Sequence, residues 1–569
     1  MRQSLFLLLC LAAFQASAQR PFPPDTLIDD GHPYAASRTL LLLPLAREWQ
    51  VAYDAQMDSI PYCSLEHTVL KPLATNRHGD YIDFNRAYYQ DSRHRIFLRR
   101  RPRSQQWIWK RLLKEDVVYF RDNDFSLAVN PLFNYTHSTL FLTDDYFTVN
   151  TRGVEIKGQV GQKLGFYANF FENQAYFPDY VHADIRRRVV VPGQAVARNY
   201  QGLGFDYSWA TGYLLWEPVR AITLQLGNGK MFFGEGYRSL LLSDNAMPYP
   251  MARLSLRWRG FLYMAALAEH SGFRTDRWNF GSGVLEPHYR KPASYNVLSW
   301  TPDPRVEISL FEGGIWRAKD DTLDQRLSPW FFVPVMGARP AIMGLDGTDN
   351  FLLGANLKFK VAPRVTAYAQ AMLDELDPAR MRQLESSLDN RWGAQAGIRF
   401  HDLFFGKLEG QFLHAQLEYN RASPYAYAAD DNRLGFTHKH QPLAHPLGAG
   451  FQELLFFLNY QWRDLMAEAR YSWATTSAFA EGQNWGTDPW LGLALASAAP
   501  DQALELGLGT PADIHFLHLK ASYLVNPRIF LHGFIAYDRR SLVTDLATQH
   551  TNFFHFGIKT TIDNFYYDF

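Results

Sequence analysis

The sequence predicts an all-β fold, an antiparallel transmembrane β-barrel of about eighteen strands with a small, partly helical N-terminal periplasmic region. Three observations carry that expectation. Apolar residues recur with period two over segments long enough to cross a bilayer, the links between segments alternate between short and long, and the chain opens on an export leader.

The period is clearest in 349–375, DNFLLGANLKFKVAPRVTAYAQAMLDE. Phe351, Leu353, Ala355, Leu357, Phe359 and Val361 share one parity, and Gly354, Asn356, Lys358 and Lys360 the other. After Ala362-Pro363, Val365, Ala367, Ala369, Ala371 and Leu373 oppose Arg364, Thr366, Tyr368, Gln370 and Asp374. Side chains alternate faces along a strand, so this is a hairpin with one apolar and one polar face. Each arm has roughly the 9–11 residues that a tilted strand needs to span hydrocarbon. Lipid is the expected partner of the apolar face.

Bulk properties fit this picture. The 569 residues carry no net formal charge, which gives no electrostatic case for nucleic acid. Mean hydropathy is −0.26, the value of a soluble protein, but a barrel averages the same because half of each strand faces inward. Arg2, the apolar run Leu5–Phe14 and Ala16-Ser17-Ala18 make a signal peptide over 1–18. Cys10 resembles a lipid-acceptor cysteine, but the apolar run before it is short and the better cleavage site lies beyond it. Cys63 is then the one cysteine remaining, which excludes an internal disulfide and a cysteine-rich metal site.

Residues 19–120 read as a periplasmic region. They are proline-rich at Pro21, Pro23 and Pro24 and helical in pattern over Trp107–Asp116. A basic cluster runs from Arg93 to Lys114. It is either a solvated helix face or a surface for anionic lipid or acidic glycan.

The barrel is expected over 121–569. Period-two segments lie near 124–135, 147–160, 164–174, 203–216, 219–227, 251–259, 260–269, 293–302, 305–314, 350–361, 364–374, 389–400, 405–419, 450–462, 465–475, 513–525, 528–538 and from 551 on. Short links centre on Gly161-Gln162-Lys163, Glu217-Pro218, Arg259-Gly260, Pro302-Asp303-Pro304, Ala362-Pro363, His401-Asp402, Arg463-Asp464 and Asn526-Pro527, all rich in turn formers. Long links fall at 136–146, 175–202, 228–250, 270–292, 315–349, 375–388, 420–449, 476–512 and 539–550. This sorting places short turns and both termini in the periplasm of a Gram-negative-type envelope. At the chain end Phe565, Tyr567 and Phe569 alternate with polar neighbours, the pattern of a last strand read by the outer-membrane insertion machinery.

Candidate chemistry lies in the long links. The 228–250 segment holds Phe232, Phe233 and Leu240–Leu242 among Lys230, Glu235, Arg238, Asp244 and Asn245. Its glycines lack the spacing of a phosphate loop, since Met231 follows Lys230. So apolar a loop is expected inside the barrel mouth, either as an ion-paired plug or as a glycan-contacting or pore-constricting surface. The 420–449 link combines Tyr425 and Tyr427 with Asp430 and Asp431, ring faces and carboxylates of the kind that sugars need. His438 and His440 lack the carboxylate spacing of a metal site, and no metal, cofactor or catalytic residue is assigned. Neighbouring carboxylates such as Asp374 and Glu375 point to opposite faces of a strand, a poor hydrolytic dyad.

Several of these segments carry a family resemblance: GKMFFGEGYRSLLLSDN (229–245), FVPVMGARP (332–340), DNFLLGANLKFK (349–360), NRWGAQAGIRFHDLF (390–404) and residues 417–453. Together they resemble the outer-membrane capsule-assembly proteins of the Wzi type, in the branch that includes the gliding-motility protein RemB. That resemblance implies an eighteen-stranded barrel with a helical periplasmic plug, acting as a non-catalytic lectin for exported surface polysaccharide. Within the matching motifs the polar positions singled out are Lys230, Glu235, Arg238, Asp244, Asp349 and Asn350. Two other expectations stand beside it: a channel or transporter, and a structural part of a motility or export assembly.

Overall fold

The structure, a computed structural model, describes residue 108 and residues 116–569, except 123, 141–145, 162, 220, 259, 274–287, 304, 317–334, 338–348, 363–364, 376–381, 383–384, 401–402, 405–410, 463–464, 481, 500–501, 527–528, 530 and 561–564. The expected leader, Cys63, the basic cluster and nearly all of the N-terminal region lie outside the described residues, as does most of the 332–340 motif.

Eighteen strands form the wall: β1 (Phe125–Leu140), β2 (Tyr146–Val160), β3 (Leu164–Ala175), β4 (Gly204–Val219), β5 (Ile222–Gly229), β6 (Tyr249–Trp258), β7 (Phe261–Phe273), β8 (His288–Asp303), β9 (Val306–Ile315), β10 (Asn350–Ala362), β11 (Val365–Glu375), β12 (Arg391–Phe400), β13 (Gln411–Ala422), β14 (Phe451–Trp462), β15 (Leu465–Ser477), β16 (Pro511–Asn526), β17 (Leu531–Thr544) and β18 (Thr548–Thr560). Each pairs antiparallel with its sequence neighbours, and β18 closes on β1 from Asn134↔Lys559 to Leu140↔Phe553. Below that seam β1 would show a bare edge, a template for unwanted pairing. A short strand, Val118–Asp122, covers it by pairing with Phe125–Val129.

The hairpin β10–β11 shows why the ring closes. Leu357 pairs with Ala369 and Phe359 with Ala367, and Leu353, Leu357 and Phe359 are exposed on the outside. Asn356, Lys358, Thr366 and Gln370, on the other parity, are buried inside. Closure leaves no strand edge in hydrocarbon, and the outward apolar band is what lipid requires. Near the short-turn end Trp258, Phe261 and Trp300 stack at 6.3 and 6.1 Å on the outer surface, as interfacial aromatics do. No helix among the described residues is long and apolar enough to cross a membrane. The helix α1 (Asp179–Arg188) belongs to the long connection after β3.

Three expectations about the chain's path need correction. The first and last long links shrink to 141–145 and 545–547, because β1–β2 and β17–β18 keep pairing, to Thr139↔Tyr146 and Val543↔Thr548. Glu217-Pro218 lies within β4, at a register shift between Trp216 and Val219 that accommodates proline's missing N–H. Strand β13 is described from Gln411, and residues 405–410 of the segment expected there lie outside the described residues. Finally, β18 ends at Thr560, and Phe565–Phe569 is no strand but lies inside the barrel. The aromatic alternation there serves lumen packing, and the last strand's outward aromatics are Phe554 and Phe556.

Candidate functional site

The lumen has a filled half and a hollow half. The connection 230–248, between β5 and β6, fills the first. It folds back on itself through Phe233 N–H to Leu242 O at 2.8 Å, with the Ser239 hydroxyl donating to Phe233 O at 2.5 Å. Leu240, Leu241 and Leu242 are buried in a cluster with Tyr249, Tyr295, Phe311 and Met372 from the wall. Gly354 makes room for this: a Cβ there would stand 2.2 Å from a Leu241 methyl carbon.

Arg238, 0% exposed, sits at the centre. Its Nη1 lies 2.8 Å from Glu453 Oε1 and its Nη2 2.7 Å from Asp568 Oδ1. Glu453 is also bound by His445 Nε2 at 3.0 Å and by the Asn420 amide at 3.1 Å. A second buried carboxylate, Glu418, accepts the backbone N–H of Tyr237 at 2.7 Å and the Tyr368 hydroxyl at 2.6 Å. Charges removed from water are costly unless paired, and here Arg238 faces two carboxylates while Glu418 is held by hydrogen bonds.

The chain's last residues are the keystone between the halves. Tyr566 donates to Asp244 Oδ1 at 2.8 Å, and Tyr180 of α1 donates to Tyr567 O at 2.8 Å. Gln194 donates to the Tyr567 hydroxyl at 2.5 Å, and Arg540 Nε to Phe569 O at 2.8 Å. Burial alone would raise the Asp568 pKa; Arg238 and Arg470 outweigh it and hold the carboxyl below its ordinary range.

The connection 423–450 lies over the filled half. Tyr425 and Tyr427 are buried with φ of 62° and 70°, a left-handed region that costs side-chain-bearing residues energy. Their hydroxyls hold them there, Tyr425 donating to Asn484 O at 2.6 Å and Tyr427 to Leu240 O at 2.8 Å. His438 Nδ1 accepts the Ser271 N–H at 3.0 Å, and His440 stacks on Trp490 at 5.9 Å. Burial, then the nearby Lys291 and Arg188, lowers His440 to about 4. No cluster of three potential metal ligands occurs among the described residues.

The structure therefore brings together Lys230, Glu235, Arg238, Asp244 and Asn245. Lys230 Nζ donates to Gly193 O at 2.6 Å, Glu235 faces Arg399 Nη1 at 3.6 Å, and Asn245 donates to Pro442 O at 3.1 Å. Tyr427 joins them through Leu240. Asn350 donates instead to Leu434 O at 3.1 Å, and half-buried Asp349 precedes it at the start of β10. Asp430 is exposed, and Asp431 pairs with Arg433 Nε at 2.9 Å. Sequence reasoning missed Glu418, Glu453 and Arg470, although each lies on the lumen parity of its strand. It also missed Asp568, whose segment it took for wall.

The hollow half is a cavity of about 280 Å³ between β15–β18 and β1–β4, bounded by α1 and the chain end. Across its wall runs a polar chain. Ser138 Oγ lies 2.9 Å from His555 Nδ1, and His555 Nε2 lies 2.8 Å from Asp538 Oδ2; Asp538 in turn contacts His518. The order serine, histidine, aspartate is that of an acyl-transfer triad. As hydrogen-bonding groups on a cavity wall, the same side chains can also hold a polar ligand.

No family model matches this chain, and no curated protein does. Among solved structures, the Escherichia coli protein Wzi, described as an outer-membrane, carbohydrate-binding β-barrel involved in group 1 capsule assembly, aligns over 92% of this chain and 99% of its own, with a TM-score of 0.50 and 13% identity. Acinetobacter baumannii OccAB2 aligns over 76% and 97%, at 0.39 and 12%, and Pseudomonas aeruginosa OprD over 76% and 94%, at 0.37 and 10%. At such identity the likeness to Wzi concerns the fold alone: this chain has a Wzi-like outer-membrane barrel fold.

Proposed function

We propose that this protein is exported by its leader to the outer membrane, where it binds surface polysaccharide as a non-catalytic, lectin-like barrel. Its short turns face the periplasm and its long connections face outward. The observation that carries this reading is the filled half of the lumen. A diffusion channel needs a continuous wet path, whereas here the 230–248 connection and its buried ion pairs fill one half of the barrel's interior, and α1 and the chain end bound the other. The carbohydrate binding described for the structurally similar Wzi supports the choice of ligand class. Membership of the capsule-assembly family, in its motility-linked branch, is part of the same proposal.

Two measurements test it. Deleting the gene and staining the cell surface for attached polysaccharide should show loss of retention; unchanged attachment with impaired gliding would replace the lectin by a structural motility role. Planar-bilayer recording of the purified protein should show no steady large conductance, and its presence would establish the channel instead.

A further inference from the structure

The interior of a membrane barrel is ordinarily polar. The hollow half of this lumen sets aromatic rings among its polar groups. Phe147 and Phe171 on β2 and β3, Trp209 on β4, Phe516 on β16, Phe534 on β17 and Phe553 on β18 all line the cavity. Parity shows that they point inward by design. Phe534 shares its face with Asp538, and Phe553 with His555, while Ile535 and Phe554 on the alternate parity are exposed outside.

Polar groups alternate with these rings. Lys520 and Lys559 lie 5.7 and 5.0 Å from the Phe534 ring, one on each neighbouring strand. The Ser138–His555–Asp538–His518 chain crosses the same wall, and Asn173, Thr151 and Arg470 complete it. Ring faces flanked by donors and acceptors are what a pyranose needs, with its apolar C–H face and equatorial hydroxyls. A lipid chain would use the rings and leave the polar chain without a role. The cavity also reaches Tyr176 and Pro178, at the long-connection end where an exported glycan would arrive. Its size is near the lower limit of roughly 300 Å³ for small-molecule sites, room for a short glycan segment.

We infer that the hollow half of the lumen is a binding pocket for a short, hydroxyl-rich glycan segment, with Phe534 as stacking platform and Lys559 and Asp538 as hydrogen-bonding partners. This rests on the lectin reading and moves the contact from the outer loops into the barrel.

The test uses the full detergent-purified protein on a printed panel of defined oligosaccharides. Phe534→Ala and Lys559→Ala should each weaken binding on the order of tenfold or more. Asp430→Ala, on the exposed loop, should leave it unchanged. As a readout independent of folding defects, Ala536→Cys in a Cys63→Ser background places a thiol in the cavity, and the bound oligosaccharide should slow its reaction with a maleimide. Binding that survives both pocket variants but falls with Asp430→Ala overturns the pocket and leaves the lectin reading standing. If no oligosaccharide binds the unaltered protein, both fall. Protection of the thiol by a fatty acid and by no sugar overturns the glycan assignment in favour of a lipid.

Discussion

Asp568, one residue from the chain end, lies 2.7 Å from Arg238 Nη2, a residue of the connection after β5. The contact joins two segments far apart in sequence, at the middle of the barrel. Arg238 is held on its other side by Glu453 at 2.8 Å, so one guanidinium bridges wall, loop and chain end. Arg238→Ala removes the cation that Glu453 and Asp568 share. It should destabilise the folded protein by roughly 3–5 kcal/mol, measurable as a lower unfolding temperature in detergent. Arg238→Lys should recover only part of this, since an ammonium cannot hold two carboxylates on opposite edges of a plane.

Removing 565–569 should spare the barrel and open its interior. The ladder is complete at Thr560, so the truncated chain should still shift on heating in gel electrophoresis as a folded barrel does. Tyr180, Arg238, Arg470 and Arg540 would lose their partners on the tail. The expected result is ion conductance in planar bilayers where the full chain shows none.

Acid should loosen the 423–450 connection. His440 is lowered to about 4 by burial and nearby cations, against about 6.5 in an unfolded chain. The unfolded form therefore binds a proton first, so the stabilisation is complete above pH 6.5 and is lost as pH falls toward 4. His438, buried and likewise held well below its ordinary value, adds in the same direction. For His440 the loss is on the order of 2 kcal/mol after allowing for its partial exposure. Protease nicking of this connection should rise between pH 6.5 and pH 4, and His440→Gln should flatten that rise.

The outer band should behave as a lipid contact. Leu357 is exposed near the middle of β10, so Leu357→Arg should cost roughly 2–4 kcal/mol in unfolding from phospholipid vesicles.

The sequence by itself determined the wall. All eighteen strands coincide with period-two segments, because each strand's apolar face must meet lipid and its backbone must pair with a neighbour; both demands leave marks on adjacent residues. The buried position of the 230–248 connection was legible too, from leucines and phenylalanines that no outer loop would leave in water. The interior contents were decided by tertiary structure alone. Ser138 meets His555 only because β18 closes on β1, and no local pattern encodes which of the inward residues His518, Asp538 and His555 then meet. Asp568 is the sharpest case: its alternating aromatics satisfy the strand rule, but the ladder ends at Thr560 and the arginines waiting in the lumen give that segment a different place.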